Sequence, residues 1–315
     1  MLYPDLIKRK DGFVVFVLIF AIIITIRSVS ACTIFTASYG NTVFFGNNED
    51  WTNPNTYIWF ELSEDNQNGG VYLGFNDFYS QGGMNEKGLC FDANALPKLS
   101  LNPHPELPYS EGWIVRFLMK ICANVTEVID VASKYNWGTS MAYQVQFADA
   151  TGDAVVISAG TDGELNFTRK IEGDGYLVST NFNLANPDNG WSPCWRYNKA
   201  MEMLDAINHE DNLTVEYFRD ILKAVHQEGT YATKYSNIFD PKNRDIYIYK
   251  NSNFNEVVVL NLDEELAKGD TGYTKLDDLF AQELQTTTTT KTTPEMPILF
   301  LCVTLVGISI IKKKK

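Results

Sequence analysis

The sequence predicts a layered α+β domain carried between two hydrophobic termini, and three observations support that reading. Short apolar runs broken by glycine and asparagine alternate with two blocks of helical spacing, in the order strands, helices, strands, helices, strands. No repeat and no linker interrupts that order. The 315 residues are 45% hydrophobic and 13% aromatic, which is ample for a large core.

Strands are expected at Thr33–Ala37, Thr42–Gly46, Tyr57–Leu62, Val71–Gly74 and Gly88–Asp92, where apolar residues cluster between turn formers. Residues Glu111–Lys134 set Trp113, Val115, Leu118 and Ile121, then Val128, Ile129, Val131 and Ala132, at helical spacing, room for two helices. Strands resume at Tyr143–Phe147, Ala154–Ser158, Leu165–Thr168 and Tyr176–Val178. Trp195–Ile207 and Val215–Gln227 are expected helices, and strands near Ser236–Phe239, Asp245–Lys250 and Glu256–Leu260 close the body.

The termini read as membrane signals. Residues 1–31 have a basic start (Lys8, Arg9, Lys10), an apolar run from Phe13 to Ile26, and small residues Val29 and Ala31 before a cleavage point, the grammar of a signal peptide. After the body, residues 32–285, comes a threonine-rich stalk over 286–295. An apolar transmembrane helix is expected over 296–311, then a basic tail, 312–315. That helix would span about 24 Å, and lysine snorkelling covers part of the shortfall against a ~30 Å hydrocarbon core. Both ends place the lysines inside and the body outside, a membrane-anchored cell-surface location. Three sequons, at Asn124, Asn166 and Asn212, suit an exported glycoprotein.

Composition narrows the partners. The body holds 17 lysines and arginines against 36 acidic residues, a net charge near −19 that repels nucleic acid. The three histidines, His104, His209 and His226, lack metal-ligand spacing, and no CxxC occurs, so neither a metal nor another cofactor is expected. Cys90, Cys122 and Cys194 are too few by one for a complete disulfide framework. Self-association into a homo-oligomer is compatible with the sequence.

Chemistry concentrates at Cys32. Cleavage after Ala31 would leave a thiol and a free α-amino group on one residue, a nucleophile with its own base. A free α-amino group titrates near ~7.7–8.0, whereas a peptide nitrogen is not basic. The residue also fits a lipidated cysteine or a buried structural one.

Further runs set the context: Phe45-Gly46-Asn47-Asn48-Glu49-Asp50-Trp51, Gly83-Met84-Asn85-Glu86-Lys87-Gly88-Leu89 and Ala93-Asn94-Ala95 in the first half, then Ser179-Thr180-Asn181-Phe182, Cys194-Trp195-Arg196-Tyr197 and Thr233-Lys234-Tyr235-Ser236-Asn237. In combination and in order, from Cys32 to about Asn261, these resemble the linear amide C–N hydrolases: choloylglycine (bile salt) hydrolases, penicillin V acylases and the peptidase C45 acyltransferases. The resemblance implies the four-layer αββα fold of N-terminal-nucleophile hydrolases. It also implies cleavage of a small N-acyl amide through an acyl-thioester.

Carried over residue by residue, Cys32 matches the nucleophile and Asp50 the carboxylate that orients the α-amino group. Asn181 matches the asparagine that orients substrate and supports the oxyanion. Asn94 matches the second amide donor, at a spacing one residue shorter than in bile salt hydrolases. Arg196 falls where the family has an arginine close to the thiol, a charge that would favour thiolate. Asn47 stands where many bile salt hydrolases have arginine; with Asn85 it is a candidate substrate-binding residue. Trp51, Trp59, Phe60 and Tyr79 are candidates for an acyl pocket. An acyltransferase, with an amine replacing water, and a non-catalytic surface lipoprotein of the same fold are the alternatives.

Overall fold

The computed structural model describes residues 32–282, apart from 172, 191, 193, 270 and 271. The expected leader, stalk, transmembrane helix and basic tail lie outside the described residues; among those described, no helix is long and apolar enough to cross a membrane.

Two antiparallel sheets form the centre. One has six strands in the order β10-β1-β2-β13-β14-β15: β1 (Thr33–Tyr39), β2 (Thr42–Asp50), β10 (Tyr176–Ser179), β13 (Thr233–Asp240), β14 (Asp245–Lys250) and β15 (Asn253–Asn261). The other has eight, in the order β16-β3-β4-β5-β6-β7-β8-β9. These are β3 (Thr56–Glu61), β4 (Gly70–Phe75), β5 (Ser80–Asn85), β6 (Cys90–Ser100), β7 (Ser140–Ala148), β8 (Ala154–Ala159), β9 (Leu165–Arg169) and β16 (Thr274–Lys275). A short hairpin, β11 (Phe182–Asn183) with β12 (Asn186–Gly190), stands apart.

The core has three layers, which makes the molecule αββα. Ile34, Phe45, Val71, Leu73, Met84, Phe239 and Ile246 pack between the sheets. Helices α1 (Ile114–Ile121) and α2 (Val125–Ala132) cover the eight-stranded sheet through Leu118, Met119 and Val128 against Tyr72, Phe91 and Phe147. Helices α3 (Trp195–Asp205) and α4 (Val215–Val225) cover the six-stranded sheet, where Leu204, Phe218 and Leu222 meet Phe35 and Phe44. A short α5 (Leu262–Lys268) follows β15.

Period-two alternation assigns each strand residue to a face. Along β2, Phe44 and Gly46 meet the outer helices and Phe45 enters the inter-sheet core, so Asn47 and Glu49 continue the inner side while Asn48 and Asp50 face out. Asn48 confirms this by donating to the carbonyl of Leu222 on α4 at 2.8 Å.

The expected elements are present, with informative differences. The helical block splits at Asn124, whose side chain accepts from the Glu127 amide while the Glu127 carboxylate accepts from the Ala123 amide, a reciprocal cap that starts α2. Strand β6 runs on to Ser100, which places Asn94 inside a strand rather than after one. Strand β5 was not expected, since Ser-Gln-Gly-Gly-Met-Asn has little β propensity; pairing on both sides holds it in place.

The β5–β6 turn depends on Gly88, at φ +81° and with the Pro241 carbonyl 2.2 Å from where a Cβ would stand. Gly88→Ala is therefore expected to cost about 2 kcal/mol or more, read as a lower urea midpoint with unchanged m-value.

Candidate active site

The site forms where the first residues of β1 meet the end of β2 and the middle of β6. Cys32 and Thr33 precede and open β1, so their side chains take opposite faces of the six-stranded sheet. The thiol lies on the inner face, where it donates to Glu49 Oε1 at 3.4 Å. Thr33 lies on the outer face, where its hydroxyl accepts from Arg196 Nη1 of α3 at 2.8 Å.

Arg196 is buried and joins four parts of the chain. Nη1 also donates to the Cys32 carbonyl at 2.9 Å, Nη2 donates to Asn181 Oδ1 at 3.2 Å, and Nη1 lies 3.7 Å from Asp50 Oδ2. Asn94 Nδ2 reaches the same Cys32 carbonyl at 3.2 Å, and Asn181 Nδ2 donates to the Ala95 carbonyl at 2.9 Å. The five residues assigned to catalysis from the sequence, Cys32, Asp50, Asn94, Asn181 and Arg196, thus share one hydrogen-bonded cluster.

Asp50 accepts from the Thr233 hydroxyl and from Gln227 Nε2 at 2.9 Å. Burial pushes its carboxyl up to about 7, against the pull of Thr233, Arg196, Gln227 and His226.

The thiol's surroundings correct one expectation. Arg196 holds the backbone of Cys32 from the outer face instead of approaching the sulfur, with the strand between them. Burial raises the thiol pKa well above its ordinary value, and Glu49, Asp50 and Asp92 raise it further; only the Asp50 amide, donating to the sulfur, opposes them. In this environment the thiol keeps its proton.

Glu49 and Asp92 are the members of the site that sequence reasoning missed. Burial pushes Glu49 up to about 8 despite hydrogen bonds from Cys32 and from Asn47 Nδ2 at 3.2 Å. Asp92 on β6 is raised by burial and by Glu49. Both were legible from spacing alone: Glu49 shares parity with Phe45 on β2, and Asp92 with Cys90 and Asn94 on β6. Asp92 lies over Gly82 of β5, where a Cβ would stand 2.1 Å from its Oδ2.

A cavity of about 270 Å³ opens onto the thiol, lined by Cys32, Glu49, Trp51, Phe75, Asp77, Gln81, Ala93 and Ala95. Of the aromatic candidates only Trp51 lines it. Trp59 packs beneath the helices with Tyr72, Phe60 packs against the inter-sheet core, and Tyr79 is exposed on the β4–β5 turn.

Asn85 is a second correction. Its Nδ2 donates to the carbonyls of Met119 and Cys122, and its Oδ1 accepts from the amides of Lys87 and Leu89. The side chain is thus fully engaged on the outer face of the eight-stranded sheet, tying α1 to the β5–β6 turn and away from the thiol. Asn47 differs: it is buried beside Glu49 on the inner face, and its Oδ1 has no partner.

Two stacked antiparallel sheets between helical layers, with a buried cysteine heading the first strand, define the class of N-terminal-nucleophile amide hydrolases. The chain belongs to the acyl-coenzyme A:6-aminopenicillanic acid acyl-transferase family, whose model matches residues 38–255, and so stands among the linear amide C–N hydrolases. Penicillin V acylase from Agrobacterium tumefaciens superposes with a TM-score of 0.59 at 17% identity, over 78% of this chain and 91% of that one. A mutant conjugated bile acid hydrolase from Clostridium perfringens gives 0.57 at 16% identity, over 78% and 96%. A second variant of that hydrolase gives 0.58 at 16%, with the same coverage. At these identities the likeness to the solved structures is one of fold. No match was found among curated proteins.

Two stability measurements follow. Asn85→Ala should cost about 2–4 kcal/mol in urea unfolding, because it strands buried backbone groups, while leaving any activity of the folded fraction unchanged. Glu49 binds its proton more tightly folded than unfolded, so its contribution to stability falls as pH rises from the ordinary carboxylate range through about 8. Glu49→Gln should therefore raise the urea midpoint at about pH 8.5 more than at about pH 5.

Proposed function

We propose that the protein is a cysteine amidase that hydrolyses the amide of a small N-acyl compound through an acyl-thioester. The observation that carries this reading is the position of Cys32. Its thiol faces a cavity on the inner side of the sheet, while Arg196 and Asn94 clamp its carbonyl and Asp50 lies close behind.

Removal of residues 1–31 would convert the Cys32 nitrogen into an amine, the base that a thiol held protonated by neighbouring carboxyls lacks. The amine takes the thiol proton, and the sulfur attacks the substrate carbonyl. Asn94 and Asn181 each use one amide hydrogen on a backbone carbonyl and keep a second for the oxyanion. Collapse breaks the C–N bond, and the departing amine takes the proton from the Cys32 ammonium. Water then attacks the thioester, giving its proton back to the α-amine, and releases the acid and the thiol. Asp50, with its carboxyl held by Thr233 and Gln227, orients the α-amine. The cavity wall contacts the substrate, and Asn47, expected from the sequence to do so, sits behind Glu49 and holds that carboxyl.

The same reading places the enzyme outside the cell, anchored by the helix expected over 296–311. The family's printed activity, acyl transfer, supports a second outcome at the same thioester, in which an amine replaces water.

The test combines protein chemistry with kinetics. The mature protein should start at an unmodified Cys32, and Cys32→Ala should lower turnover of an acyl-amide panel by at least about 10³-fold. A retained leader, a lipidated Cys32 or undiminished turnover in the alanine variant would sink the proposal. Adding a free amine to the thioester-forming reaction separates hydrolysis from transfer by product mass.

A further inference from the structure

The cavity at Cys32 is rich in acceptors and poor in positive charge. Among the described residues that line it there is no lysine or arginine, while Glu49 lies beside the thiol and Asp77 stands at the mouth. Asn47, standing where many of the resembling hydrolases carry arginine, turns its Nδ2 to Glu49. Two fully buried acceptors beside this carboxyl have no partner: Asn47 Oδ1 and Asp92 Oδ2. Neither residue lines the cavity itself; both stand behind Glu49, so the carboxyl at the cavity wall is backed by unsatisfied polar atoms and by no positive charge among the described lining residues.

From this arrangement we infer that the substrate carries an ammonium group close to its scissile carbonyl, and that Glu49, on the cavity wall with Asn47 and Asp92 buried behind it, recognises it. The inference rests on the amidase reading and names its substrate class: amides of amino acids with a free α-amine, the smallest acyl groups of this kind. An α-ammonium nitrogen is two bonds from the carbonyl carbon. With that carbon at a reactive distance of about 3–3.5 Å from sulfur, the nitrogen falls within reach of a carboxyl oxygen itself 3.4 Å from the sulfur. An ammonium offers three donors and no acceptor, which suits a cavity whose wall presents the carboxyls of Glu49 and Asp77. The modest volume of about 270 Å³ fits a small acyl group.

Proton movement follows from the binding. The titratable side chains facing Glu49 are the Cys32 thiol on β1, Asp92 on β6 and Tyr235 on β13, with Asp50 acting across the strand from the outer face; none is cationic, and the Cys32 α-amine of the cleaved chain is held by Asp50 in the proposed mechanism. Glu49 thus holds a proton at neutral pH, and an arriving ammonium displaces it. Binding therefore releases protons to the buffer. N-acylated analogues leave Glu49 protonated and gain no ion pair, and anionic ones are further disfavoured by Asp77 at the mouth, so both bind more weakly.

The experiment uses para-nitroanilides of one amino acid in three forms, free α-amine, N-acetyl and N-succinyl, with the Cys32→Ala protein for binding and the wild type for turnover. The free-amine form should bind at least about 10-fold more tightly than the acetyl form, and the succinyl form should bind weakest. Calorimetry in buffers of different ionisation heat should show proton release that falls by about one per site in Glu49→Gln. That variant should also reduce the preference to about 2-fold, with Glu49→Met as a second substitution if the first does not fold. Asp77→Asn, on the exposed turn, should weaken the preference by a smaller factor that vanishes in high salt. Equal or tighter binding of the acetyl or succinyl form, or a preference untouched by the Glu49 variants, overturns the inference. Selective binding without Cys32-dependent turnover instead overturns the amidase reading and leaves the recognition site standing.

Discussion

One buried guanidinium holds the site together. Arg196 donates to the carbonyl of Cys32, the hydroxyl of Thr33 and the amide oxygen of Asn181, and it neighbours the carboxylate of Asp50. Those groups come from β1, the turn after β10 and the end of β2, segments far apart in the chain that the helix α3 reaches only by packing on the outer face of the sheet. A charge this deep is tolerated because both ends of its planar fork are hydrogen-bonded and a carboxylate stands beside it. Its position explains why the first strand begins at a defined place with the Cys32 side chain aimed between the sheets.

The same geometry separates two electrostatic environments with a single strand. Outside it lies a compensated ion pair; inside lies a chamber of carboxyls and amides with no lysine or arginine among the described residues that line it. The outer environment supports the fold, whereas the inner one opposes it, since Glu49, Asp92 and the unpaired atoms of Asn47 and Asn237 all give up solvent without full repayment. Native proteins keep such unfavourable clusters where a ligand completes them. The aromatic and aliphatic layers on both sides of the chamber supply the stability that it lacks.

Much of this was legible in the chain. Strands β1, β2, β13 and β14 stand out as short apolar runs because they bury one face between sheets and the other under helices, and the helical blocks follow the spacing of their own buried faces. The resemblance motifs brought the residues around Cys32 together: Cys32, Asp50 and Asn181 lie at or beside strand ends, Asn94 inside β6 and Arg196 in the first turn of α3. What escaped was set by tertiary contact. Strand β5 exists because β4 and β6 flank it, and Asn85, which looks like a polar site residue, proves to be a bracket for a helix end. The role of Arg196 was misjudged because a sequence motif records proximity but not which face of a strand a side chain approaches. Glu49 was overlooked among more familiar motif positions, although parity with Phe45 already pointed it inward.

The contact between Gly82 and Asp92 has a consequence for how this site can change over time. A methyl group at position 82 would stand in the space of the Asp92 carboxylate, so a side chain there requires that carboxylate to turn away from its place between the sheets. Loss of Asp92 would open room that a larger residue at 82 could fill, after which restoring the aspartate requires glycine to return first. The two positions are therefore coupled: the residue held at either decides what the other can accommodate.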